Sequence, residues 1–143
     1  MLIKIDDRED NLIYKELGEL DIICYPERLK IGDYVYKDIC VERKTVDDFC
    51  LSIMDGRIKK QVEAMQEAYK DCYVLIHGRI ADRKTEIGEN SIVGMLVSLV
   101  ENGVRVIWVD NAHQAAYALK RLFERTDAKE IHTESEGGKG NGI

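Results

Sequence analysis

The side chains best placed to do chemistry fall within residues 32–61, GDYVYKDICVERKTVDDFCLSIMDGRIKKQ. Residues 38–44 read as a strand, with Ile39 and Val41 on one face and Cys40, Glu42 and Lys44 on the other. Glu42 and Lys44 therefore project together. Asp33 precedes a short run, Tyr34-Val35-Tyr36, and a turn at Lys37-Asp38 returns the chain as a hairpin. That hairpin sets Asp33 beside Glu42. Two carboxylates and an ammonium at one sheet edge suit magnesium-dependent hydrolysis of a phosphodiester. Mg²⁺ takes one or two carboxylates and keeps several waters. The ion acidifies a water and neutralises phosphate charge, and a lysine orients that water or steadies the developing charge.

Each of these residues also has a plainer reading. Glu42-Arg43-Lys44 alone is a solvated strand end. Thr45 with Asp48 three residues on fits a helix capping box, and Asp47 and Asp48 both suit the positive end of a helix. Arg43 points away from Glu42 and Lys44 on an ideal strand, which favours a buried ion pair or a DNA contact over metal chemistry. Arg57, Lys59 and Lys60 cluster just after Gly56, where a solvated helix face is the default.

The ordered combination decides between these readings. Gly32-Asp33, eight residues, Glu42-Arg43-Lys44, three residues and Asp48 resemble the signature of the XPF/Hef family of structure-specific endonucleases. Asp55-Gly56-Arg57 followed by Gln61 is similar to that family as well, and Asp6-Asp7-Arg8-Glu9 resembles its first acidic motif. The resemblance implies a restriction-endonuclease-like fold and Mg²⁺- or Mn²⁺-dependent cutting of branched DNA such as flaps and forks, in repair or replication restart. It implies Asp33 and Glu42 as metal ligands, with Asp6, Glu9 and Asp48 as further acids and Asp47 as the alternative to Asp48. Lys44 would position water or phosphate, while Arg43, Arg57, Lys60 and Gln61 would be substrate contacts. Two rivals use similar residues: a catalytically silent partner subunit and a Holliday-junction resolvase. Family members commonly add a helix-hairpin-helix domain, which this sequence does not show, so a separate DNA-binding partner is expected to supply affinity.

The remaining elements must position this stretch. Residues 2–6 read as a first strand, 21–25 as a second ended by Pro26, 72–76 and 104–109 as later strands. Helical stripes follow: Leu12, Ile13 and Leu17; Val46, Phe49, Cys50 and Ile53; Ile58, Val62 and Met65; and Ala112 to Phe123. Strands alternating with helices predict an α/β fold, a three-layer α/β/α domain around a mixed central sheet. The helix from Ser91 to Val100 is apolar nearly all round, which predicts burial on more than one side. The family's dimerisation through this half implies a homodimer built from residues 91–125. The domain is expected to span residues 1–127, with 128–143 a polar, glycine-rich, disordered tail.

Composition narrows the class. At 143 residues the chain suits one domain. No apolar run is long enough to span a membrane, and the first residues lack the layout of a secretion signal. The four cysteines form no Cys-x-x-Cys pair and the three histidines are scattered, which argues against zinc and for reduced thiols in an intracellular protein. The net charge of −6, from 21 basic and 27 acidic residues, is unusual for a DNA binder.

Overall fold

A computed structural model describes residues 1–135 of the chain. The chain begins with β1 (Ile3–Asp6) and α1 (Asn11–Glu19), and continues through β2 (Cys24–Glu27), β3 (Tyr34–Tyr36) and β4 (Ile39–Thr45). Two helices follow, α2 (Val46–Met54) and α3 (Arg57–Ala68), then β5 (Asp71–His77) and a short 3-10 turn at Ile80–Asp82. The last elements are α4 (Glu89–Glu101), β6 (Arg105–Val109) and α5 (Ala112–Ser135). The six strands form one sheet in the order β2-β1-β3-β4-β5-β6. Its β1–β3 and β3–β4 pairs are antiparallel; the others are parallel, so the sheet is mixed.

Strand alternation sorts the core into two layers. Ile3, Ile5, Tyr34, Tyr36, Ile39, Val41 and Leu75 face α1 and α5, whose Ile13, Leu17, Ala115, Ala116, Leu119 and Phe123 are buried there. Val35, Cys40, Val74 and Ile76 face the other way, against Phe49 and Cys50 of α2, Ile58, Val62 and Met65 of α3, and Ile92 and Leu99 of α4. Burying both faces of the sheet gives the three-layer α/β/α arrangement that the alternation of elements predicts. Two helix starts have a side-chain cap. Asp10 accepts a hydrogen bond from the Leu12 N–H and Thr45 Oγ1 one from the Asp48 N–H (3.1 Å), so both act as N-caps. Gly56, left-handed at φ 78°, separates α2 from α3.

Three boundaries differ from the sequence reading. The second strand lies at Cys24–Glu27, two to three residues later than expected, and contains Pro26 instead of ending there. A proline lacks a ladder donor, but β2 is at the edge of the sheet, where that loss is tolerated. Leu12 does not join the buried stripe of α1; it is exposed, leaving Ile13 and Leu17 to face the core. The expected break after residue 127 is also displaced, because α5 continues to Ser135. Asp127 itself accepts hydrogen bonds from the Tyr36 hydroxyl and from Lys37, tying α5 to the β3–β4 turn. Residues 136–143 of the proposed tail lie outside the described residues.

A candidate metal-binding nuclease site

The β3–β4 hairpin brings the first two acids together. Its register pairs Tyr34 with Val41, and the Asp33 N–H donates to the Val41 carbonyl at 2.8 Å, so Asp33 stands across from Glu42. The Asp33 carbonyl in turn accepts from the Asp6 N–H at 2.8 Å, which draws the end of β1 to the same point. Gly32 lets the chain enter β3 close against β4. Its φ is 77°, and a Cβ at this position would lie 2.3 Å from Cys40 Sγ.

These residues line a cleft of about 440 Å³ that holds Asp6, Glu9, Asp33, Glu42, Lys60 and Gln61. Its acids are not equivalent. Asp6 gives both oxygens to Arg8, with contacts of 3.1 Å from Nε and 2.8 Å from Nη2. That hydrogen bonding holds the Asp6 carboxyl below its usual pKa despite burial. Glu9 gives both oxygens to Arg43, at 2.6 and 3.2 Å, and accepts from the Tyr34 hydroxyl at 2.7 Å. Asp33 and Glu42 have no arginine side chain on their carboxylates among the hydrogen bonds of the described residues. Burial, then the charges of Glu42 and Glu9, raise the Asp33 pKa; burial likewise raises that of Glu42. The two acids face each other across the hairpin, and one proton between them relieves their repulsion.

The other signature residues surround this pair at different distances. Lys44 is buried on the same face of β4, with Nζ 3.8 Å from Glu42 Oε2. Arg43 lies on the opposite face in the ion pair with Glu9, as strand alternation predicts. Gln61 reaches the cleft from α3; its Oε1 is buried and has no hydrogen-bond partner. Lys60 is exposed beside it. The structure does not bring Arg43, Lys44, Asp47, Asp48 or Arg57 into the cleft lining, although Lys44 adjoins it through Glu42. Asp47 Oδ1 accepts from the backbone N–H groups of Lys84 and Thr85, at 2.8 and 3.3 Å, and so anchors the loop after β5. Asp48 is exposed in the first turn of α2, and Arg57 is held by Asp55 at 2.7 Å. Three further residues, Arg8, Tyr34 and His77, enter the network without having been singled out. The signal for His77 was its place at the end of β5, level with Thr45 and on the face of Arg43, which needs the parallel register to be known.

Among the described residues, no three His, Cys, Asp or Glu side chains converge into a ready-made cation cage. The residues present nevertheless fit Mg²⁺ or Mn²⁺, since such ions need few protein ligands and prefer oxygen. Asp33 and Glu42 supply carboxylate oxygens, and the orphaned Gln61 Oε1 faces a buried setting where an unpaired acceptor is costly. Asp6 and Glu9 line the same cleft but are committed to Arg8 and Arg43.

Comparison with known proteins agrees with the geometry. The ERCC4 domain matches residues 5–122. The chain is 34% identical over 131 residues to the "3'-flap repair endonuclease Xpf" of Saccharolobus solfataricus, covering 87% of this chain and 56% of that protein. It is 32% identical over 113 residues to the "DNA repair endonuclease XPF" of Drosophila melanogaster, covering 69% of this chain and 11% of that protein. Thus the chain spans little more than half of the archaeal relative and a small part of the insect one. The structure "XPF from Aeropyrum pernix, complex with DNA" superposes with a TM-score of 0.81 at 26% identity, over 88% of this chain and 64% of that one. A domain match over most of the described residues, the shared fold and the Asp33–Glu42 pair lead to one conclusion: the chain belongs to the ERCC4 domain family, as a nuclease domain of the XPF type.

Proposed function

We propose that the chain hydrolyses phosphodiester bonds in branched DNA, such as flaps and forks, using a divalent ion held by Asp33 and Glu42. The observation that supports this most is the pair itself: two neighbouring acids, left without an arginine, at a cleft that also holds an unpartnered amide oxygen. When bound, Mg²⁺ or Mn²⁺ would neutralise phosphate charge and acidify a water. Holding the ion would require the pair to be fully deprotonated. Lys44, fixed beside Glu42, would steady charge developing on a phosphate bound at the pair. Lys60, and Arg57 if released from Asp55, face solvent on α3 and suit contacts to the DNA backbone.

The same reading includes a second copy of the chain. Val93, Val97 and Val100 of α4 and Tyr117 of α5 are exposed, an apolar surface spread over residues 91–125. No helix of the described residues is long and apolar enough to cross a membrane.

A panel of flap, fork, four-way and plain duplex DNA, each with Mg²⁺, Mn²⁺ or a chelator, tests the proposal. Cleavage of flaps or forks that requires the ion is expected, and Glu42→Gln should lower it at least about 100-fold, more than the loss of outer partners typically costs. Cutting confined to four-way junctions would assign the chain to the resolvases instead. No cutting and no ion binding would make it a silent partner.

A further inference from the structure

Behind the acids, on the opposite face of β4, lies a chain of buried polar groups that the signature does not account for. Arg43 sits at its centre and uses all three guanidinium nitrogens. Nε donates to Glu9 Oε2 at 2.6 Å, Nη2 to Glu9 Oε1 at 3.2 Å, and Nη1 to His77 Nε2 at 2.5 Å. A guanidinium only donates. His77 Nε2 must therefore be the bare nitrogen of a neutral ring, with the proton on Nδ1. Its surroundings agree, because burial and then the Arg43 charge lower its pKa. At the far end the Tyr34 hydroxyl donates to Glu9 Oε2 at 2.7 Å, and burial with the Glu9 charge keeps that hydroxyl protonated.

This chain reaches the cleft through the backbone. The Arg43 N–H donates to Asp33 Oδ2 at 2.8 Å, and that bond opposes the other influences that keep Asp33 protonated. Resting on the nuclease reading above, we propose that His77 and Tyr34 are positioning residues of the site. They lock Arg43 onto Glu9, and the Arg43 amide then holds Asp33 facing Glu42. The His77–Arg43–Glu9–Tyr34 relay joins the end of β5, β4, the turn after β1 and the start of β3, the four segments that meet around the pair. Deleting the His77 acceptor leaves a buried guanidinium N–H unpaired. The Arg43 guanidinium then keeps only its Glu9 contacts, and β4 loses its side-chain tie to the end of β5 at the residue whose N–H holds Asp33. A buried ion pair need not add stability, so the expected loss lies in the order of the site and not in the fold.

The test uses the full 143-residue chain with His77→Leu, His77→Gln and Tyr34→Phe. Two quantities are read. One is solvent exchange of the Arg43 Nε–H and amide protons in metal-free protein, by nitrogen-15 NMR; the other is Mg²⁺ affinity, by calorimetry. In His77→Leu both Arg43 protons should exchange at least about 10-fold faster, as local opening of a buried bond allows. Mg²⁺ affinity should fall about 10- to 100-fold, as for lost outer partners of a metal site. Tyr34→Phe should shift both in the same direction by less. His77→Gln, whose amide oxygen accepts from Arg43, should return to within about 3-fold of wild type, well inside that range. Wild-type exchange and affinity in His77→Leu overturn the relay, as does a folded glutamine variant that rescues neither. If the leucine variant does not fold, Tyr34→Phe decides, and unchanged values there overturn the relay equally. A wild-type chain that binds neither Mg²⁺ nor Mn²⁺ overturns the nuclease reading itself, whereas ion binding indifferent to these variants removes only the relay.

Discussion

At the scale of the residue, burial and mutual repulsion keep a proton on the Asp33–Glu42 pair at pH values where an ordinary carboxylate has lost it. The direction of the pH effect follows. An unfolded aspartate titrates near 4, while Asp33 in the folded state titrates higher. Below about pH 4 both states are protonated and the pair costs nothing from this source. As pH rises toward the folded value the native state binds more protons than the unfolded one, so stability falls. We expect the melting temperature of the metal-free protein to drop between pH 5 and pH 8 more steeply than that of Asp33→Asn. Divalent ion should reverse the drop, more at pH 8 than at pH 5, because proton competition for the pair weakens as pH rises toward about 9. Parallel melting curves for the two proteins would count against the shared proton. Asp6 behaves in the opposite sense, since its hydrogen bonds with Arg8 lower its pKa and its contribution is lost only as pH falls through that lowered value.

At the scale of the element, the hairpin depends on Gly32. Replacing it with alanine forces a side chain into a left-handed position costing about 1–3 kcal/mol, and brings its Cβ onto Cys40 Sγ. Gly32→Ala should therefore unfold at lower urea and, by shifting the entry to β3, weaken Mg²⁺ binding. Unchanged urea midpoints would show that this entry relaxes freely. This hairpin is readable in sequence because its causes are local: a Gly32-Asp33 entry, a turn at Lys37-Asp38, strict alternation, and a helix cap at Thr45. The ion pairs that divide the acids are a different matter. Alternation alone turns Arg43 away from Glu42, but nothing near it in sequence names Glu9 or His77, each 34 residues distant. For the same reason Asp47 and Asp48 look alike by spacing. Only the folded loop after β5 shows that Asp47 caps its backbone while Asp48 faces water. Pro26 misleads in a related way, because tolerance of a proline depends on whether its strand lies at an edge.

At the scale of the whole molecule, a net charge of −6 sets the terms for meeting DNA. Several of the basic residues that might offset it are committed: Arg43 to Glu9, Arg57 to Asp55, and Arg83 to the carbonyls of Ile80 and Ile87. Binding of branched DNA should accordingly be weak, improve with Ca²⁺, and fall steeply with salt through counterion effects. Nanomolar affinity at physiological salt without any divalent ion would contradict this. Light scattering at micromolar concentration should give the mass of a dimer, and Val97→Glu, a charge placed on the exposed apolar side of α4, should return a folded monomer. A wild-type monomer would remove the second copy from the account. The strand order finally implies a sequence of events in time. Asp33 and Glu42 are joined by a tight hairpin, and such hairpins close in about 1–10 μs. The partners of Arg43 lie across much longer loops, whose closure costs more entropy. The acids thus meet before the relay behind them exists, and the nascent hairpin bears their repulsion unaided. Burial is the main cause of the raised Asp33 pKa, so before that burial both acids are charged, and stopped-flow refolding of Asp33→Asn, which lacks one of the two charges, should outpace that of the wild type at neutral pH.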